Sequence, residues 1–356
     1  MAKVVVGMSG GVDSAVTAYL LKKAGYDVIG ITLKTWIGAD GSMSRCCEID
    51  DARRISYKLG IPYYAVGCMT EFDHAVIEPF MEHYLHGTTP NPCIECNRHV
   101  KWAKMIDFAR YMGADFIATG HYASIVQKEN GRFAVKANNH NTKDQTYMLY
   151  KLTQEQLAST IMPLGSYQKK EVREIAEKAG LPVASKPDSQ EICFVADGNY
   201  ADYIEACSSV PLPGPGNFVD ENGTPLGTHK GIIHYTPGQR KGLGIALGYP
   251  AYVIRIDAEK NEVVLGKDSS LYYHDIFCQD LNFQAIPALS AGESLSCTAK
   301  IRYHHAAQPA TLTMTGNGEA HLHFDDPVRA PAPGQSAVFY DDENCVIGGG
   351  TITRFS

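Results

Sequence analysis

Two groups of residues in this chain are spaced for chemistry. The first is Gly7-Met8-Ser9-Gly10-Gly11-Val12-Asp13-Ser14. It follows the apolar run Lys3-Val4-Val5-Val6 and precedes a helical pattern from Ala15 to Ala24 that ends at Gly25. A glycine-rich turn between a strand and a helix is an anion site. Gly10 and Gly11 let the backbone take positive φ and come close to a ligand. The unpaired N–H groups of the turn and of the helix start then converge on one phosphate. Ser9 and Ser14 add hydroxyl donors, and Asp13 adds a carboxylate suited to magnesium. No Gly-x-x-x-x-Gly-Lys-Ser/Thr is present, so the turn is not a Walker loop.

The second group is made of cysteines. Cys93 and Cys96 stand in Thr88-Thr-Pro-Asn-Pro-Cys93-Ile-Glu-Cys96-Asn97, and Cys193 in Ser185-Lys-Pro-Asp-Ser-Gln-Glu-Ile-Cys193-Phe. Pro90 and Pro92 predict an irregular loop, with a helix starting at Arg98. Cys96 would then lie near a helix N-terminus beside Arg98 and Lys101, where positive potential lowers a thiol pKa. Moving a thiol from about 8.5 to about 7 takes roughly 2 kcal/mol, within reach of a helix end and one cation. Cys-x-x-Cys by itself fits zinc, an iron–sulfur cluster or thiol redox chemistry. No second Cys-x-x-Cys follows, which argues against a four-cysteine zinc ribbon. Cys68, Cys207, Cys278, Cys297 and Cys345 stand singly in apolar or strand-like surroundings and read as structural. The vicinal pair Cys46-Cys47 reads as part of a surface loop, Ile37 to Cys47, whose Gly and Ser content predicts mobility.

These groups need a scaffold. Strand and helix signals alternate through the first part of the chain: strands at Val28 to Leu33, Tyr63 to Val66 and Phe116 to Ala118, helices at Asp50 to Leu59, Phe72 to Leu85 and Val100 to Met112. That alternation implies an α/β fold with a doubly wound, mostly parallel, Rossmann-like sheet. Such sheets bind ligands at the carboxyl ends of their strands, where both the first turn and Ala118-Thr119-Gly120-His121 emerge. Ser124 to Val135 predicts a hairpin, and Thr153 to Thr160 and Lys169 to Ala179 predict helices. Pro211-Leu-Pro-Gly-Pro-Gly216 breaks regular structure. Beyond it lie short strands and Gly/Asn/Pro turns. The expected organisation is 1–210, 217–270 and 271–356, a catalytic domain followed by two small all-β domains.

Composition narrows the setting. At 356 residues the chain has room for two or three domains. No apolar run approaches a membrane span and no signal-peptide pattern opens the chain, so a cytoplasmic location without a membrane partner is expected. In that compartment ten cysteines do not make a disulfide framework. The net charge of −7 argues against nonspecific nucleic-acid binding. It leaves room for local basic segments such as Arg98 to Lys104, Lys169 to Lys178, Arg240-Lys241 and Lys300 to His305.

Ser9-Gly-Gly-Val-Asp-Ser14 resembles the PP-loop of ATP pyrophosphatases, which split ATP between the α and β phosphates. The chain as a whole resembles the family of tRNA-specific 2-thiouridylases (MnmA). The resemblance rests on Gly7 to Ser14, Thr89 to Asn97, Ala118 to Tyr122, Lys143-Asp-Gln-Thr-Tyr147 and Ser189 to Phe194. It continues through Tyr235-Thr-Pro-Gly-Gln-Arg-Lys-Gly-Leu-Gly244 and Pro333-Gly-Gln-Ser-Ala-Val-Phe-Tyr340. It implies a PP-loop ATPase domain, a central β domain and a C-terminal β-barrel. It further implies ATP-dependent thiolation of uridine 34 in the tRNAs for Lys, Glu and Gln, with magnesium as the metal of ATP. Cys193 would carry sulfur as a persulfide, and Cys96 would release it and form a disulfide with Cys193. Gly7 to Ser14, Leu33 and Gly120 match ATP positions. Asn91, Pro92 and Cys93 match the loop beside the target base. His121, Lys143, Asp144, Gln145, Arg302, Tyr303 and Gln335 match tRNA contacts. The sulfur donor would be a cysteine desulfurase or a sulfur-relay protein.

One departure from the family pattern bears on mechanism. Some members carry aspartate where this chain has Cys93, and that aspartate is the proposed general acid/base. A thiol suits the role less well. Cys93, Cys96 and Cys193 also suit a [4Fe–4S] site with one iron left open for hydrosulfide. The spacing admits both persulfide and cluster. Two other classes compete. A PP-loop ligase for a small metabolite would need no thiol, and an ATP-sensing RNA-binding module would leave the cysteines without a role.

Overall fold

The computed structural model describes residues 1–38, 48–138, 143–186, 192–195 and 199–356. Cys46, Cys47 and the rest of the expected mobile loop after Gly38 lie outside the described residues, as do 189–191 of the Cys193 motif. In chain order the strands are β1 Lys3–Gly7, β2 Asp27–Lys34, β3 Tyr63–Gly67, β4 Phe116–Ala118, β5 Ser124–Gln127, β6 Phe133–Lys136 and β7 Thr160–Ile161. Then come β8 Gly216–Val219, β9 Pro225–His229, β10 Tyr252–Asp257, β11 Glu262–Gly266, β12 Tyr272–Phe283 and β13 Ser294–Lys300. The last are β14 Gln308–Gly316, β15 Glu319–Arg329, β16 Ser336–Tyr340 and β17 Val346–Phe355. The helices used below are α1 Val12–Lys23, α2 Ile49–Leu59, α3 Met69–Phe72, α4 Glu78–Leu85, α5 Pro92–Glu95, α6 Trp102–Tyr111, α7 Gln154–Ala158, α8 Lys169–Lys178 and α9 Tyr200–Cys207.

The first sheet runs β3-β2-β1-β4-β7, and its pairs are parallel. Its centre is covered on both faces, which is why β1 is a continuous Val run rather than an alternating one. Val4 and Val6 face a core built with Val16 and Ala18 of α1, Ile55 of α2 and Val172 of α8. Val5 faces the opposite core, with Ile31, Trp102 and Met105. The doubly wound expectation is met. Thr160 differs from expectation: its helix stops at Ala158, and Thr160 adds an edge strand beside Ile117. Its β-branched side chain suits a strand, and its hydroxyl accepts from the indole N–H of buried Trp102 at 2.9 Å.

The remaining strands form two further units. The second sheet has the order β10-β11-β8-β9, with Phe218, Val253, Val263 and Leu265 in its core. Strands β12-β15-β14-β13-β16-β17 close into a barrel filled by Ile276, Leu312, Leu322, Phe324 and Phe339. The barrel does not stand apart. Val338, Tyr340 and Val346 join the core beneath the first sheet. The buried amide of Gln284 donates to the carbonyls of Leu149 and Tyr150 at 2.9 and 3.0 Å. Tyr147 donates its hydroxyl to Ser336 O at 2.8 Å.

Candidate active site

β1 delivers the glycine-rich turn to the carboxyl edge of the sheet. Gly10 takes φ +78°, the left-handed region that glycine adopts at little cost. Gly11 departs from expectation: it is extended (φ −93°, ψ 168°) and serves as the N-cap of α1, with no side-chain cap bond. The first N–H groups of α1 therefore have no partner on their own helix and open toward the turn. The two serines shape the turn. Ser9 N donates to Ser14 Oγ at 3.2 Å, and Ser14 Oγ donates to Gly11 O at 3.1 Å. Met8 and Val12 are buried and anchor the loop from below. Gly120, leaving β4, passes so close that a Cβ there would lie 2.9 Å from the Asp13 carbonyl carbon and the Ser14 nitrogen. A cradle of backbone donors walled by backbone fits a polyphosphate.

Asp13 is not an idle carboxylate. Lys169 Nζ, at the start of α8, lies 2.9 and 2.8 Å from its two oxygens, and Tyr122 donates its hydroxyl at 2.7 Å. A magnesium ion at Asp13 would share it with, or displace, that ammonium. Across the turn, Lys186 pairs with Asp51 at 2.5 Å and with Glu48, and reaches Gly10 O at 3.3 Å. Sequence reasoning did not single out Lys169, Lys186 or Tyr122 individually. A lysine at the first position of a helix facing the anion turn was the available signal for Lys169.

The cysteine segment folds differently from expectation. Its helix begins at Pro92, not Arg98. α5 runs through a π-helical turn, Cys96–Lys101, into α6. Proline is tolerated at the first helical position, where its missing N–H has no partner to lose. Cys93 is thus exposed in the first turn, and Cys96 lies one turn in and buried. Cys96 packs in a cluster with Phe72, Phe80 and Phe194, which Leu33 and half-buried Cys193 join from its edge. Three separate segments thus contribute Cys96, Cys193 and Leu33 to one apolar cluster. Among the described residues, Thr89 Oγ1 and Asn97 Oδ1 of this segment are buried without a hydrogen-bond partner.

The barrel holds the approach to this helix. Gln335 Nε2 donates to Thr89 O and Pro90 O at 3.1 and 3.2 Å, and Thr89 N donates to Pro333 O at 2.7 Å. Asn91, half-buried, caps α5 by position and places its amide 3.5 Å from Met148 Sδ. Asp144 accepts from Thr146 N at 3.0 Å and from Lys300 Nζ at 3.2 Å, and Gln145 Oε1 accepts from Tyr122 N at 3.0 Å. Lys143 and Tyr303 are half-buried beside them. His121 stands against Trp102 and Thr119, and burial pulls its pKa down to about 3, so it is neutral. Arg302 lies apart from these. It donates to Ala330 O and Pro237 O and lines a cleft of about 580 Å³ with Lys230, His305 and Arg329.

An α/β sheet with a glycine-rich turn at its carboxyl edge, followed by a second sheet and a closed barrel, defines a nucleotide-using enzyme of the HUP class. Family models match in three consecutive blocks. A tRNA methyl transferase HUP domain matches residues 2–197, a PRC-barrel domain of the same family 208–267, and an aminomethyltransferase β-barrel domain 274–352. A tRNA-specific 2-thiouridylase MnmA of Lachnoclostridium phytofermentans is 52% identical over 99% of this chain and 100% of its own. Those of Acetivibrio thermocellus and Clostridium beijerinckii are 50% and 48% identical over 98% of this chain and 99% and 98% of theirs. The chain belongs to the tRNA-specific 2-thiouridylase (MnmA) family.

Proposed function

We propose that this protein uses ATP to form 2-thiouridine at position 34 of the tRNAs for Lys, Glu and Gln. The observation that carries this reading is the apolar cluster to which Cys96, Cys193 and Leu33 all belong. The family models carry the words methyl transferase, yet a pair of gathered cysteines suits sulfur transfer, and the curated relatives are thiouridylases. A carbonyl oxygen is a poor leaving group and AMP a good one. Adenylation of O2 of the base, with pyrophosphate leaving into the turn of Gly7 to Ser14, supplies the activation. C2 is hidden in a stacked base, so the uridine must be flipped out. The loop Asn91–Cys93 would receive it, and the orphan polar atoms of Thr89 and Asn97 leave that segment short of partners until something binds.

In the sulfur step, the donor protein loads Cys193 with a sulfane sulfur. The terminal persulfide sulfur attacks C2, and the C2–O bond breaks as AMP departs. Cys96 thiolate then attacks the Cys193 sulfur. The S–S bond to the transferred atom breaks, its electrons stay on the thiocarbonyl sulfur, and a Cys96–Cys193 disulfide remains for a reductant to reset. Cys93, exposed and outside the cluster, takes no electron-transfer role here. A cluster of iron and sulfide on Cys93, Cys96 and Cys193 is the alternative. The deciding measurement is iron and acid-labile sulfide per chain after purification without oxygen. We expect neither, with Cys193→Ser abolishing thiolation and leaving ATP binding intact. About four of each, lost in Cys93→Ser, would replace the persulfide by a cluster. Retained thiolation in Cys193→Ser would remove the carrier role.

A further inference from the structure

The barrel carries a group of side chains that the thiolation reading does not use. In the antiparallel pair of β12 and β15, Asp275 stands opposite His323 and Phe277 opposite His321. Ile276, Cys278, Ala320, Leu322 and Phe324 point inward and are fully buried, so by the period of two Asp275, Phe277, His321 and His323 share the outer face. His321 Nε2 and His323 Nδ1 lie 2.7 and 2.8 Å from the same oxygen, Asp275 Oδ1. All three ligand atoms lie within 4.8 Å of one another. We propose that Asp275, His321 and His323 form a surface site for a divalent transition metal ion, with two imidazoles and one carboxylate as ligands.

The geometry needs little change to accept an ion. Metal–nitrogen and metal–oxygen bonds of about 2.1 Å put neighbouring ligands of an octahedral ion roughly 3.0 Å apart, and of a tetrahedral ion roughly 3.4 Å. The ring nitrogens, now 2.7 and 2.8 Å from Asp275 Oδ1, must therefore move away by about 0.2–0.3 Å for an octahedral ion and about 0.6–0.7 Å for a tetrahedral one. Both rings are already oriented. His321 stacks on Phe277 with centroids 4.7 Å apart and planes at 13°, and His323 stacks on His274 at 5.7 Å and 20°. His274 is itself pinned by Phe324 O at 2.8 Å from its Nδ1. Supports of this kind fix ligand direction before the ion arrives.

The charge suits a dication as well. The neighbouring guanidinium of Arg354, stacked on the far side of Phe277, is neutralised by Glu319 at 2.5 and 2.9 Å. Imidazole ligands select zinc, cobalt, nickel or copper over magnesium or calcium. His323 keeps 55% of its side chain exposed, which leaves coordination positions open to solvent. A bound ion would tie β12 to β15 and stabilise the barrel by mass action.

A cobalt titration of the full-length protein, followed by absorption, tests the site. Co²⁺ on imidazole and carboxylate gives weak visible bands alone, and Co²⁺ on thiolate adds an intense near-ultraviolet band, so the cysteines are told apart. The expected result is about one equivalent bound without the near-ultraviolet band. His323→Ala and Asp275→Asn should each weaken it at least about tenfold. Both variants should keep their metal-free thermal midpoint, since neither side chain enters the barrel core. Unchanged affinity in both, no binding at millimolar cobalt, or binding seen only with the thiolate band would overturn the site.

Discussion

Gly120 has no room for a side chain. A Cβ there would meet the backbone of Asp13 and Ser14 at 2.9 Å, and backbone at a helix start cannot step aside as a long side chain can. Gly120→Ala should therefore push β4 away from α1, spoil the anion cradle and weaken ATP binding at least about tenfold. Calorimetric titration with ATP checks this, and wild-type affinity in the variant would refute it. The glycine-rich turn was legible in the sequence because glycine, serine and aspartate each have a stated use there. Lys169 on Asp13 was not, because the two residues are 156 positions apart and only the fold of α8 onto α1 brings them to 2.8 Å. Asp144, Gln145 and Gln335, expected as tRNA contacts, also have structural work to do. Each holds a backbone segment of the site, and Gln335 grips the loop that leads to Cys93.

At the scale of elements, the cysteine helix is held by a charge network. Lys151, 5% exposed, lies 2.6 Å from Glu95 on α5 and 2.5 Å from Asp280 on β12. Arg98 stands 3.7 Å from Asp280, and His99 3.5 Å from Glu95. Removing the buried cation leaves two carboxylates facing each other across the junction of helix and barrel. Breaking a fully buried pair costs about 3–5 kcal/mol, and the partial exposure of both carboxylates lowers that to about 2 kcal/mol. Lys151→Met should lose this much in urea denaturation, and Asp280→Asn should restore part of it in the double variant. Additive effects of the two changes would mean that the network does not couple them. The sequence suggested a helix from Arg98. Pro92, read as a breaker, instead starts the helix nearly two turns earlier, which moves Cys96 from the end of a helix into its buried side.

The whole molecule is set against acid. Burial lowers the pKa of His83, His99, His121, His234 and His305, with His121 down to about 3 from its ordinary 6.5. Above pH 6.5 neither the folded nor the unfolded chain protonates His121 appreciably. Below it the unfolded chain binds a proton that the folded chain refuses, so stability falls as pH drops from 6.5 toward 3. Between pH 6.5 and 5, His121 alone accounts for about 1–2 kcal/mol of that loss. His121→Gln should flatten the stability profile over this window, and a slope equal to the wild type would show that the ring titrates normally.

By itself the sequence determined the parallel α/β core, the anion turn and the all-β character of the rest. These follow from local rules: apolar periodicity, glycine where the chain must turn, proline where it must break. Tertiary structure alone decided that Cys96 and Cys193 join one apolar cluster, which lysines face the turn, that the barrel braces the loop before Cys93, and that Asp275, His321 and His323 share one outer face. Those relations join residues far apart in the chain, and closing such loops depends on burying whole faces of sheet and helix rather than on any local preference.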